Sequence, residues 1–152
     1  MQRLGHLQLD FGAMAAVSNL FRASVAVRRS MEARVLAEDR LSWTSFVALW
    51  VLWVWGELES RELASAVGVS RPTATGVVTT LERRGLVRRR KGASDGRVAL
   101  ISLTPAGLRV IKKLFPRFNR AEVAVTAHLS RGEQEELAGL LRSILRGVEG
   151  AG

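Results

Sequence analysis

The 152-residue sequence predicts a mainly α-helical chain with a small β-hairpin wing (an α+β arrangement), a winged helix-turn-helix flanked by N- and C-terminal dimerisation helices. Three observations predict it. Two short helical segments between residues 59 and 84 are separated by Gly68-Val69-Ser70, the tight turn of a helix-turn-helix. The basic run Arg88-Arg89-Arg90-Lys91 and the apolar run Val98 to Leu103 flank Ser94-Asp95-Gly96-Arg97, whose Asp-Gly favours a hairpin. Both ends of the chain carry amphipathic segments that so small a reader does not need for its own core.

The elements follow from local chemistry. Asp10 is placed to cap a helix reaching about Leu36, on which Phe11, Met14, Val17, Leu20, Phe21, Val25, Met31 and Val35 recur at helical spacing. Ser42 caps a second helix, Trp43 to Trp55, apolar nearly all round and therefore enclosed on several sides; Gly56 ends it. Glu59 to Val67 forms a third helix with Leu63, Ala64 and Val67 inward. Ser70 caps a fourth, Arg71 to Arg84, with Pro72 in its first turn and Gly85 as its stop. Leu86 to Lys91 and Val98 to Leu103 are the wing strands. Thr104-Pro105 starts a fifth helix, which Pro116 is expected to kink or break. Ser130-Arg131-Gly132-Glu133 is a capping box that opens the last helix. The chain divides into residues 1–40, an N-terminal dimerisation segment; 41–104, the winged helix-turn-helix; and 105–152, the C-terminal dimerisation helices, all in one integrated domain.

Composition narrows the function. A net charge of +9 and a pI near 11.5 favour a polyanionic partner, and placement sharpens this. Between residues 83 and 97 stand seven of the 23 Lys and Arg residues: Arg83, Arg84, Arg88, Arg89, Arg90, Lys91 and Arg97. The absence of cysteine excludes disulfides, thiol redox sensing and cysteine-liganded zinc. The longest apolar run, Phe46 to Trp55, is half the roughly 20 residues of a membrane span, so no membrane partner is expected. Met1 to Leu9 lacks the pattern of a signal peptide, which makes the cytoplasm the expected location. His6 and His128 are isolated, and no Ser-His-Asp set, phosphate loop or Gly-x-Gly-x-x-Gly occurs. Neither enzymatic activity, nor a metal, nor a cofactor is expected.

On the fourth helix, Ala74, Val77, Val78 and Leu81 form the stripe that packs on the third. Pro72, Thr75, Gly76, Thr79 and Arg83 lie opposite, with Arg71, Thr73 and Thr80 at the margins. A merely solvated face would carry Glu and Lys; this one is rich in Thr and has no acid before Glu82. Threonine hydroxyls bond bases or phosphates, and Gly76 allows backbone to approach DNA. The DNA-binding set is therefore Ser70, Arg71, Thr73, Thr75, Gly76, Thr79 and Arg83, with Arg88, Arg90, Lys91, Ser94 and Arg97 from the wing. Alternate wing side chains must face opposite ways, so the four consecutive cations cannot all reach one phosphate run. Arg97 is the groove probe. Asp95 either only forms the turn or pairs with Arg97 and orients it; pairing is the favoured reading. Trp43, Trp50, Trp53 and Trp55 all lie on the second helix, where core packing is favoured over a ligand wall. Trp43 and Trp50 are the ligand-pocket candidates.

Asp95-Gly96-Arg97, as an Asp-x-Arg wing signature, and the following Leu103-Thr104-Pro105-Ala106-Gly107 helix start resemble the MarR (multiple antibiotic resistance regulator) family. Glu62-Leu-Ala-x-x-Val-Gly-Val-Ser70, Leu81-Glu-Arg-Arg-Gly-Leu-Val87 and Leu129-Ser-x-x-Glu133 extend the similarity over most of the chain. The resemblance implies a homodimer of triangular outline. It would bind pseudo-palindromic double-stranded operators, usually as a repressor relieved by a small, aromatic or anionic effector. Two positions depart from the family pattern: Glu59 replaces a helix-capping Thr, and Pro116 interrupts the long dimerisation helix. The alternative class is a winged helix used for protein interaction or as an architectural module. It would show an acidic or apolar outer face on Arg71–Arg84, and the sequence has neither.

Overall fold

The computed structural model of the chain describes residues 8–91 and 99–150. The elements run α1 (Phe11–Met31), a π-helical turn (Glu32–Leu36), α2 (Trp43–Trp55), β1 (Leu58–Glu59), α3 (Ser60–Val67), α4 (Arg71–Arg83), β2 (Val87–Lys91), β3 (Ala99–Leu103), α5 (Pro105–Val125) and α6 (Arg131–Glu149). The chain separates into two compact units, Met1–Leu114 and Phe115–Gly152.

In the first unit α2 is the central element. It packs against α3, α4, β3 and the π-turn, and Phe46, Ala48, Leu49, Val51 and Leu52 are buried. Its N-terminus is capped twice. Ser42 Oγ accepts from the Ser45 N–H at 3.2 Å, and Glu32 Oε1 accepts from the Trp43 N–H at 2.9 Å. Both satisfy amides that the helix leaves without partners, and the carboxylate also suits the positive end of the helix dipole. The π-turn is an irregularity that periodicity alone does not announce. Its wider winding accompanies the burial of Met31, Val35 and Leu36 after an α1 whose Phe11, Met14, Val17, Phe21 and Val25 are exposed on this unit.

The reader is built as expected, with small shifts at the ends. Glu59 is the cap of α3 rather than its first residue: its N–H donates to Glu62 Oε2 at 2.9 Å, so the acid at this position still supports a cap. Gly68 adopts φ 72°, the left-handed conformation in which the chain turns between α3 and α4 and which a Cβ disfavours. Leu63, Ala64, Ala74, Val78 and Leu81 close the helix pair, each buried to 5% exposure or less. α4 ends at Arg83, with Arg84 as cap, and β2 begins at Val87 rather than Leu86.

The sheet has one strand more than the hairpin foreseen from sequence. β1 pairs with β3 in the order β1-β3-β2, all antiparallel, through Leu58↔Ile101 and Glu59↔Leu100. Two residues carry no alternation to read, and pairing with an existing edge is what makes them a strand. Thr104 joins wing to helix. Its Oγ1 donates toward the Gly85 and Leu86 carbonyls at 2.6 and 3.2 Å and accepts from the Gly107 N–H at 3.0 Å.

Of the two outcomes expected at Pro116, a kink or a break, the break does not occur: α5 runs on to Val125. Proline forfeits only its own N–H bond, and seven helical residues precede the carbonyl it abandons at Lys112, a short loss within a long helix. In the second unit α6 is capped by the foreseen box. Glu133 Oε2 accepts from the Ser130 N–H at 2.8 Å, and Ser130 Oγ accepts from the Glu133 N–H at 3.4 Å. Leu137, Leu140, Ile144, Leu145 and Val148 of α6 are exposed on this unit.

Candidate nucleic-acid interface

Every residue assigned to the outer face of α4 is exposed: Ser70, Arg71, Thr73, Thr75, Gly76, Thr79 and Arg83. The opposite stripe faces inward, with Val77 half-buried at its edge. Ser70 Oγ accepts from the Thr73 N–H at 3.3 Å and lies 2.8 Å from Thr73 Oγ1, so the first turn presents a fixed pair of hydroxyls. Nothing lies within 4 Å of the position a Cβ would take at Gly76, so its backbone is open on the outer face. Arg84 holds the far end of α4 in place. Its guanidinium donates to the Arg40 and Asp39 carbonyls at 2.8 and 2.7 Å, in the loop where Arg40 takes a positive φ of 51°.

On β2 the alternation is explicit. Arg88 Nε donates to Ser102 Oγ at 3.2 Å, and Arg90 Nε donates to Glu57 Oε2 at 2.7 Å, with a second, shorter contact from Arg90 Nη2 to Glu57 Oε1. Both belong to one face of the wing. Arg89 points the other way, onto α4: Nη2 donates to Thr79 Oγ1 at 2.8 Å and to the Thr75 carbonyl at 3.3 Å, and Nε lies 3.5 Å from Glu82 Oε2. The structure thus places Arg88 and Arg90 beside Ser102 and Glu57, and joins Arg89, absent from the sequence-derived set, to the exposed face of α4. Strand parity carries a signal for this. Val87 is buried against the helices, and Arg89, two residues on, must share its face. Glu82, the first acid on α4, is matched by Arg89. Lys91 closes β2 opposite Ala99. Ser94, Asp95 and Arg97 lie outside the described residues.

The Arg90 hydrogen bond holds the Glu57 carboxyl below its ordinary value of 4.5; desolvation opposes this, and the charges of Arg90 and Arg88 and a bond from Ser102 assist it. A depressed folded-state pKa stabilises the fold above 4.5 and ceases to do so as pH falls through the folded value. Glu57→Gln is therefore expected to weaken the chain against urea at neutral pH, with the gap to wild type closing below 4.5. Urea titrations followed by tryptophan fluorescence measure this; a gap that ignores pH would mean the pair contributes nothing.

Beside this pair lies an open groove of about 460 Å³ between the end of α2, the wing and the start of α5. Leu52, Trp53, Leu103 and Leu108 supply apolar walls, and Arg88, Ser102 and Thr104 supply polar groups. Trp53 lines it, whereas Trp43 and Trp50, the pocket candidates from sequence, do not; both are half-buried elsewhere along α2. Position along the helix was the only guide to those two, and the groove forms where strand and helix ends converge. Among the described residues no group of three or more His, Cys, Asp or Glu side chains is placed to hold a metal, and no helix is long and apolar enough to cross a membrane.

A helix-turn-helix whose second helix exposes threonines, glycine and arginine, with a basic wing beside it, defines a DNA-binding transcriptional regulator. The MarR family model matches residues 41–99. An uncharacterized HTH-type transcriptional regulator of Bacillus subtilis (strain 168), YwaE, is 38% identical over 136 residues, which cover 90% of this chain and 80% of that protein. The transcriptional repressor MprA of Escherichia coli (strain K12) is 30% identical over 88 residues, 58% of this chain and 50% of its own. The PcaV transcriptional regulator from Streptomyces coelicolor, solved in complex with its natural ligand, superposes with a TM-score of 0.76 at 28% identity, covering 95% of this chain and 96% of that one. The chain belongs to the MarR family. These relatives are regulators, not enzymes.

Proposed function

We propose that the chain acts in the cytoplasm as a homodimeric repressor of pseudo-palindromic operators, released by a small aromatic or anionic effector. The observation that carries the reading is the exposed face of α4, where Arg71, Thr75, Gly76, Thr79 and Arg83 stand together and the nearest acid is matched by Arg89. Thr75 and Arg71 would read bases, and Arg97 at the wing tip, oriented by Asp95, would enter the adjacent groove. Arg88 and Arg90, held by Ser102 and Glu57, would act on the phosphate field more than on a base. The exposed apolar rows of α1 and α6 support pairing of two copies, which sets two α4 helices about one DNA turn (~34–36 Å) apart. MprA is named a repressor and PcaV binds a natural ligand, which supports the mode of control; here the groove beside Trp53 is the effector site we favour over Trp43 and Trp50.

Selection of bound duplexes from a random pool tests the core of this reading. An inverted repeat is expected, bound in the nanomolar range and weakening steeply with salt as phosphate contacts release counterions. Equal binding to selected and random duplexes would overturn it. Arg97→Ala is expected to weaken all sequences together, and Arg71→Ala or Thr75→Ala to alter preference at individual positions. A ligand screen read by tryptophan fluorescence and operator release tests the effector; a screen in which nothing changes operator affinity would leave a constitutive binder.

A further inference from the structure

Threonine on a helix has a habit that matters on a DNA-reading face: its hydroxyl proton is commonly donated to the carbonyl one turn back. Thr75 does this, with Oγ1 donating to the Arg71 carbonyl at 2.9 Å, and Thr80 does it to the Gly76 carbonyl at 3.0 Å. A hydroxyl spent in this way can only accept from DNA. Thr79 is different. The carbonyl it would use is that of Thr75, and Arg89 Nη2 already donates there at 3.3 Å while also donating to Thr79 Oγ1 at 2.8 Å. Among the described residues Thr79 makes no such back-bond. One guanidinium thus occupies both the carbonyl and the hydroxyl oxygen, and the Thr79 proton is left to point away from Arg89, on the exposed side of α4.

We infer that Arg89 is a specificity-positioning residue that fixes Thr79 as a hydrogen-bond donor toward DNA, while Thr75 on the same face is fixed as an acceptor. The inference rests on the proposed reading of operators by α4. The chemistry then assigns base classes. Thr79 meets an acceptor in the major groove, a purine N7, guanine O6 or thymine O4, and Thr75 meets an amino donor, adenine N6 or cytosine N4. Arg89 sets the polarity of the readout without contacting a base. Its partner Glu82, 3.5 Å from Nε, holds the guanidinium plane in the position that serves both oxygens.

The test is the position-by-position preference of wild type, Arg89→Ala, Thr79→Val and the double variant, measured by competition among single-base variants of the selected operator. Circular dichroism at the binding temperature confirms that each variant is folded. Thr79→Val keeps the side-chain shape and removes the donor, so it is expected to lose a preference of about two- to tenfold at one position in each half-site, the discrimination of a single neutral hydrogen bond. Arg89→Ala is expected to lose the same preference at the same position, and the double variant to lose no more than either. A uniform loss at every position in Arg89→Ala, with a salt dependence reduced by about one phosphate contact, would overturn the inference and make Arg89 a backbone ligand. An unchanged Arg89→Ala pattern beside a selective wild type overturns it alone. A wild type that selects no sequence overturns it together with the reading it rests on.

Discussion

Gly107→Ala is expected to lower the thermal unfolding midpoint by roughly 6–12 °C, the equivalent of about 3 kcal/mol in a chain of this size. A Cβ at Gly107 would sit 2.0 Å from the Leu86 carbonyl oxygen and 2.9 Å from its carbon. Neither atom is free to move. The same carbonyl accepts from the Thr104 N–H at 3.0 Å and from Thr104 Oγ1 at 3.2 Å, the bonds that seat α5 on the wing. Relief of the clash must break those bonds, each worth about 1 kcal/mol, or displace α5 from the end of β2. Gly76→Ala is the internal control with the opposite sign. It meets open space on α4 and removes a helix-interior glycine, so it is expected to raise stability by about 0.5–1 kcal/mol while weakening DNA binding. Calorimetry on both variants decides the matter; equal midpoints for Gly107→Ala and wild type would show that α5 does not depend on that close approach.

Phe21→Glu on α1 and Leu140→Glu on α6, made separately, are each expected to lower affinity for a full operator by about 100-fold or more while leaving binding to an isolated half-site unchanged. Phe21 is 68% exposed and Leu140 58% exposed on their units, in rows that continue through Val17 and Val25 on α1 and through Ile144 and Val148 on α6. Exposed rows of this length are unfavourable in water, and the proposed pairing of two copies would cover them. A carboxylate placed in such a contact must be desolvated without a partner, which opposes assembly. Loss of the proposed dimer would turn one tethered binding event into two independent ones. Sedimentation measures the assembly, and fluorescence anisotropy on full-site and half-site duplexes measures the consequence. A variant that stays dimeric with full-site affinity intact would remove its helix from the interface.

The capping side chains show what kind of structure is legible in a sequence. Asp10, Ser42, Ser70 and Ser130 each cap the helix expected of them, through bonds spanning three residues. The buried stripe of α4 and the exposed threonines opposite it were legible for the same reason, because helical period alone assigns the faces. The alternation of the wing cations was legible too, but not its phase. Which of Arg88 and Arg89 faces α4 depends on Val87 being the buried residue, and that follows from how the sheet lies on the helices. A break at Pro116 is not legible for a related reason: a local rule for breaking helices does not weigh the turns on either side of it.

By itself the sequence determined the order and type of the main elements, the helix-turn-helix, the basic wing and which face of α4 is exposed. All of these rest on interactions between residues a few positions apart. Tertiary structure alone decided the partners of the charged groups: Arg89 on Thr75 and Thr79, Arg90 on Glu57, Arg84 on the loop carbonyls at residues 39 and 40. It alone decided that two residues at Leu58 form a strand and that Trp53 lines the groove. These contacts join groups separated along the chain by about ten residues up to more than forty. An arginine in the sequence carries only its charge; what it binds is set by which carboxylates, carbonyls and hydroxyls the folded backbone brings within 3 Å or so of it.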